Sequence, residues 1–273
     1  MKIAIPLGPE DTQFKLNLAY VDYVSQAGYD PLTIVPQNDA MDIAGICDGL
    51  LLPGGKDIDP IFYGESNWGS FWADSSKDDF ERQLFWAFIN HSKPIFGICR
   101  GFQLIAREYI KTMSSEPVTP ASEELVGDRL IFQQDIGGHD LAGSFNLFRS
   151  RPHHFVEARC DMLYGAENRS VEYVPVNSMH HQYLHLNVNS DELAKTNKVT
   201  PHMWATAWTE RGLDKDEVGV VCEGLLLKGW VKSKIRAVQW HPEELKDYSL
   251  LHHHFGRSKS FRGPGLARKA ISG

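Results

Sequence analysis

Residues 94–106 read PIFGICRGFQLIA: a short apolar run, then Cys99 flanked at two positions on either side by Gly97 and Gly101, then a helix-like pattern. An apolar run of this length behind a proline reads as a buried strand, and G-x-C-x-G at its end has the spacing of a nucleophile elbow. A tight strand-to-helix turn crowds the residues beside its apex, so glycines there relieve clashes and let the thiol stand out. Cys99 also falls at a helix N-terminus, where the macrodipole and unbonded N–H groups favour thiolate over thiol. An isolated cysteine after an apolar run is more often a buried structural residue. The paired glycines and the strand–helix junction favour a nucleophile here, whereas Cys47, Cys160 and Cys222 lack that setting and read as structural.

On either side of this segment, short apolar runs alternate with helical patterns. Lys2 to Pro6, Pro31 to Pro36, Asp48 to Leu52 and Pro94 to Ile98 read as strands, with helices around Phe14 to Ala27 and over Lys77 to His91. In the second helix Phe80, Leu84 and Phe88 share a face, and Ser75 or Ser76 can cap the start. Such alternation predicts an open α/β sheet. Further strands are expected at Val171 to Val176, Met203 to Trp208, Val218 to Leu227 and Ile235 to Trp240, all within one domain over 1–256. Residues 111–128, rich in Pro, Ser, Thr and acidic residues, are assigned no fixed structure, and the basic stretch 257–273 reads as a frayed tail.

Composition narrows the function classes. With 273 residues and 42% hydrophobic content the chain can bury a core. A formal charge of -7 argues against a nucleic-acid partner, because phosphate-backbone binders concentrate Lys and Arg. No apolar run approaches the ~20 residues that span a bilayer, and MKIAIPLGPED has no secretory pattern, so the expectation is a cytoplasmic protein without membrane contact. Four scattered cysteines suit free thiols in a reducing compartment. Histidines are numerous, including His153 with His154 and the run His252 to His254, but H-E-x-x-H is absent and no metal or organic cofactor is expected.

A thiolate nucleophile needs an imidazole that can hold and deliver a proton, and the imidazole needs an orienting group. The segment AVQWHPEE (237–244) supplies His241, a stiffening Pro242 and the carboxylate of Glu243. Alone, His-Pro-Glu is more often a solvated turn. Together with the elbow it reads as base and orienter, since a triad is defined by roles in space rather than by chain order.

Taken together, CDGLLLPGGKDIDPIFYGE (47–65), PIFGICRGFQLIA (94–106), QDI (134–136), VNSMHHQ (176–182) and AVQWHPEE (237–244) resemble the γ-glutamyl hydrolase branch of the class I glutamine amidotransferase-like proteins, and γ-glutamyl-γ-aminobutyrate hydrolases in particular. The resemblance implies a flavodoxin-like three-layer sandwich with a mostly parallel central sheet, a Cys99–His241–Glu243 triad and hydrolysis of a γ-glutamyl conjugate through a thioester. It implies that the backbone N–H groups of Gly55 and Arg100 receive the oxyanion. It also makes His181 and Gln182 candidates for contacting the glutamyl amino and carboxylate groups, while His180 is left as packed. Gln103, one helical turn after Cys99, either turns its amide toward the thiol and substrate or lies on the helix surface.

The chain departs from the family pattern in inserting residues 107–133 between LIA and QDI, and Asp57 and Asp59 follow the PGG loop, where they could meet a cationic amine or sit in a solvated turn. The alternative function is a glutaminase subunit delivering ammonia to a separate synthetase, which would have to be another protein because no P-loop is present. Nothing in the sequence chooses between a monomer and a homodimer.

Overall fold

The computed structural model describes residues 1–10, 13–63, 66, 75–115, 130–133, 149–167, 169–180, 182–210 and 219–256. The strands of the first half are β1 (Lys2–Pro6), β2 (Gly8–Glu10), β3 (Gln13–Lys15), β4 (Asp30–Ile34), β5 (Gly49–Leu52) and β6 (Ile95–Ile98). Those of the second half are β7 (Leu130–Gln133), β8 (His154–Arg159), β9 (Val171–Val176), β10 (Tyr183–Leu186), β11 (Met203–Thr209), β12 (Val220–Leu227) and β13 (Ile235–Val238). The helices that matter for the site are α1 (Leu18–Gln26), α2 (Ala40–Ile46), α3 (Ser75–Asn90) and α4 (Arg100–Ser115).

The centre of the sheet is a parallel set in the order β4-β1-β5-β6-β13. Beyond β13 it continues through antiparallel β12, β11, β8 and β9, while β10 pairs β12 and carries β7 on its other edge. All four residues of β5, GLLL, are buried, as expected of a strand covered on both faces. Because side chains alternate across a strand, Leu50 and Leu52 enter the core layer shared with α2, α3 and α4, whereas Leu51 enters the opposite layer with Tyr20, Tyr23 and Val24 of α1. This is an α/β fold with helices on both faces of a central parallel sheet, as the alternating pattern predicts.

Several boundaries differ from the sequence reading. The helix expected from Phe14 begins at Leu18, where the Asn17 side chain accepts the Ala19 N–H at 3.0 Å. Residues 13–15 instead pair with 8–10 in a separate antiparallel hairpin, and Phe14 is 37% exposed, so its place in the apolar periodicity does not reflect burial. Helix α2 is an addition to the expected elements, although Asp39 caps it by accepting from the N–H groups of Met41 and Asp42. The segment read as structureless from 111 is helical through 115, because α4 continues past the nucleophile for sixteen residues. Residues 130–133 of the expected insertion form a strand, and 116–129, like the tail 257–273, lie outside the described residues.

Candidate active site

Strand β6 delivers Cys99 to the C-terminal edge of the parallel sheet, and α4 starts at the next residue. Cys99 adopts φ +51°, a left-handed conformation that is uncommon for a residue with a side chain. Its carbonyl accepts the Gln103 N–H at 3.1 Å, so it serves as the residue before the helix. The two glycines are required by contact. A Cβ on Gly97 would lie 2.7 Å from the Gly101 backbone, and one on Gly101 would lie 2.2 Å from the Leu52 carbonyl oxygen. The elbow therefore packs helix start against strand at a distance only hydrogen side chains permit.

Neighbouring strand β13 ends just before His241. Its Nδ1 is 2.7 Å from Glu243 Oε1, which leaves Nε2 for the Cys99 thiol that lines the same cleft. Burial alone would lower the pKa of His241, but the Glu243 carboxylate and then the Cys99 thiolate outweigh it and push the imidazole up to about 10. The ring is thus set to carry a proton beside the sulfur, the state a thiolate nucleophile needs. Pro242 occupies the first position of the short helix α5 (Pro242–Leu245), which holds Glu243 one step from the histidine it orients.

Two residues that the sequence reading does not single out complete this arrangement. The Tyr20 hydroxyl accepts the Gly54 N–H at 3.0 Å and lies 3.4 Å from His241 Nδ1. Burial, then Glu243 and Cys99, raise its pKa well above the usual phenol range, so it stays protonated. Asn177 clamps the histidine backbone: its Oδ1 accepts the His241 N–H at 2.9 Å and its Nδ2 donates to the His241 carbonyl at 3.1 Å. Asn177 lies within VNSMHHQ, a string that points to the site as a motif without separating its members. Tyr20 sits in an amphipathic helix, where nothing local marks it.

A cleft of about 320 Å³ opens over the thiol, lined by Gly54, Gly55, Cys99, Arg100 and His241 at its floor and by Lys15, Leu16, Asn17, Lys56, Lys77, Arg149 and Met179 around it. Gly54 is wedged between nucleophile and base, since a Cβ there would fall 2.5 Å from the Tyr20 hydroxyl and 2.8 Å from His241 Cε1. Gly55 and Arg100 both face this cleft, and Arg100, as the first residue of α4, carries one of the N–H groups that a helix leaves unbonded. The Arg100 side chain turns away into the protein and pairs with Asp78 and Glu81 of α3.

The expected glutamine contacts are not found. The buried Gln103 amide donates to the Gln182 carbonyl at 3.0 Å, and the Gln182 side chain accepts the Ile58 N–H at 3.1 Å and donates to the Ile58 carbonyl at 2.7 Å. Neither lines the cleft: Gln103 ties α4 to the backbone at Gln182, and Gln182 ties the loop after PGG to the start of β10, because a buried amide is held by whichever backbone groups lie nearest. His180 is packed, with Nδ1 3.0 Å from the Gln182 carbonyl and Nε2 3.7 Å from Glu223. Among the described residues the lining contains no carboxylate: Asp59 accepts the Ile61 N–H at 3.1 Å, and Asp57 is buried outside the cleft. His181 and QDI (134–136) lie outside the described residues. No group of three or more potential metal ligands occurs among the described residues.

A Schizosaccharomyces pombe protein named for the glutamine amidotransferases is 28% identical over 232 residues, 84% of this chain and 74% of that protein. A glutamine amidotransferase-like protein of Rickettsia prowazekii is 32% identical over 96 residues, 34% of each chain, and one of Lactococcus lactis subsp. cremoris is 30% identical over 91 residues, 32% of this chain and 48% of that protein. The matched stretches thus span only a third to a half of these two relatives. In fold the chain is similar to a Thermoplasma acidophilum protein described as one component of a GMP synthase, with TM-score 0.54, 15% identity and coverage of 94% and 92%. The sequence profile of the peptidase C26 family matches residues 9–243, from the hairpin to Glu243, and the chain belongs to that family.

Proposed function

We propose that this chain is a cysteine hydrolase that cleaves the γ-glutamyl amide bond of a conjugate whose leaving amine carries an anionic group. The observation that supports it most is Cys99 at φ +51° in one cleft with a histidine that Glu243 holds at 2.7 Å. The Cys99 sulfur attacks the γ-carbonyl carbon, and the carbonyl electrons move onto oxygen, which the N–H groups of Gly55 and Arg100 receive. His241 gives its proton to the amide nitrogen, the C–N bond breaks and the amine leaves a glutamyl thioester. Water then loses a proton to His241 as it attacks the thioester carbon, and the C–S bond breaks to return the thiolate and release glutamate.

The choice of leaving group follows from charge. Lys15, Lys56 and Lys77 line the cleft together with Arg149, which Glu244 pairs from outside the lining, and no described lining residue is acidic, although the whole chain carries a formal charge of -7. Such a cleft attracts a carboxylate-bearing amine and repels a polyamine. The test is glutamate release from γ-glutamyl amino acids, γ-glutamyl polyamines and glutamine by wild type and Cys99→Ala. Release from the anionic conjugates by wild type alone is expected, and faster release from the polyamine conjugate would contradict the charge argument. A second reading, a glutaminase that feeds ammonia to a separate synthetase, draws on the names of the relatives. It predicts that glutamine turnover appears only when a partner is added.

A further inference from the structure

We propose that Lys77 is a further catalytic residue, whose ammonium faces the oxygen of the tetrahedral intermediate together with the backbone donors Gly55 and Arg100. The proposal rests on the hydrolase reading above. A Cβ on Gly55 would lie 2.7 Å from Lys77 Nζ and one on Gly8 would lie 3.0 Å from it, so the ammonium sits in the notch between the start of β2 and the PGG loop. Lys77 lines the same cleft as Cys99 and His241, yet its side chain is only 12% exposed. It reaches this position from the first turn of α3, the helix that also supplies Asp78 and Glu81 to the Arg100 side chain.

Glu81 therefore serves two cations: one oxygen holds Arg100, and the other lies 3.7 Å from Lys77 Nζ, long for a charge-assisted bond. The same carboxylate thus steadies the residue whose N–H is one oxyanion donor and the ammonium lying against the other. Asp78 extends the bracket by accepting the Asp59 N–H at 3.0 Å, which fixes the loop beyond Gly55. Burial pulls the Lys77 pKa below its ordinary value, and the neighbouring Glu81 works against that pull. A compact, largely desolvated point charge is worth most where negative charge develops during reaction, away from bulk water. Of the other cations that line the cleft, Arg149 is paired with Glu244 at 2.9 Å.

Lys77→Met and Lys77→Gln retain the Asp78–Arg100–Glu81 pairing, and Lys77→Arg retains the charge. With the best γ-glutamyl conjugate, the neutral variants are expected to lose about 100-fold in kcat with KM within about threefold of wild type, and Lys77→Arg to recover part of the loss. Thermal melting of each variant reports whether the fold is kept. A rise in KM at unchanged kcat would make Lys77 a ground-state carboxylate binder and overturn the proposal, as would unchanged kinetics. A second readout needs no substrate: the rate of Cys99 alkylation by anionic iodoacetate relative to neutral iodoacetamide, read by mass spectrometry. Loss of the ammonium should lower that ratio about fivefold; an equal ratio in wild type and Lys77→Met overturns the proposal even if no γ-glutamyl compound is turned over, in which case it is the hydrolase reading that has failed separately.

Discussion

His241 is buried beside Glu243 and Cys99, and its behaviour with pH follows from that. Its folded pKa of about 10 lies above the ordinary imidazole value, so its protonation stabilises the fold fully below pH 6.5 and that contribution is lost as pH rises through about 10. Glu243→Gln removes the larger of the two raising partners. The alkaline limb of the kcat/KM profile should then move to lower pH, with a rate loss on the order of 100-fold; a profile that superimposes on wild type would contradict the orienting role. Tyr20→Phe leaves the buried Gly54 N–H without its acceptor, so we expect a loss of about 1–2 kcal/mol in urea unfolding and a lower kcat. At this scale the grouping of Cys99, His241 and Glu243 is legible in the sequence because glycines and a proline mark their turns. Tyr20 is not, because a tyrosine in an amphipathic helix looks the same whether its hydroxyl meets water or Gly54. The amides of Gln103 and Gln182 bond backbone groups, a detail the sequence leaves open because a motif shows which residues stand near a site, not which way their amides point.

Among the elements, the contact of α4 with β5 is the tightest test of the elbow. Gly101→Ala would drive a methyl to within 2.2 Å of the Leu52 carbonyl, and α4 must shift or the strand end must yield. A loss of about 3 kcal/mol is expected in denaturant unfolding, far above the usual helix gain of alanine over glycine. The opposite sign is expected at β13. Arg236 is 3% exposed, its Nε and Nη1 make no hydrogen bond among the described residues, and burial alone pulls its pKa down to about 10. Arg236→Met should raise stability by about 1–2 kcal/mol, measured as a higher melting temperature, because a buried polar group without partners costs more than it contributes. Element types are readable where a short run is apolar throughout and bounded by turn residues, as in β5 and β6, both buried along their whole length. The error at Phe14 arises because a hairpin residue and a helix residue can occupy the same place in a short apolar pattern, and only the Asn17 cap separates them.

For the whole molecule, the alternation of strands and helices in the first hundred residues is enough to predict the parallel centre of the sheet. The order of the antiparallel strands beyond β13 is not readable in this way, since β11 meets β8 through pairing of Ala207 with Ala158, residues far apart in sequence, which leaves no local mark. Net charge is equally silent about the cleft: a chain of charge -7 gathers the cationic side chains of Lys15, Lys56, Lys77 and Arg149 around its thiol by folding them to one edge of the sheet. Raising salt should therefore increase KM for an anionic conjugate more than for glutamine, a comparison that steady-state kinetics can make directly. The most direct measurement of the central claim is to mix the enzyme rapidly with a γ-glutamyl amino acid, quench in acid and map the modified peptide by mass spectrometry. A single glutamyl group in thioester linkage on Cys99, absent from Cys99→Ala, is the expected result; glutamate release that persists in Cys99→Ala, or an adduct on another residue, would contradict it.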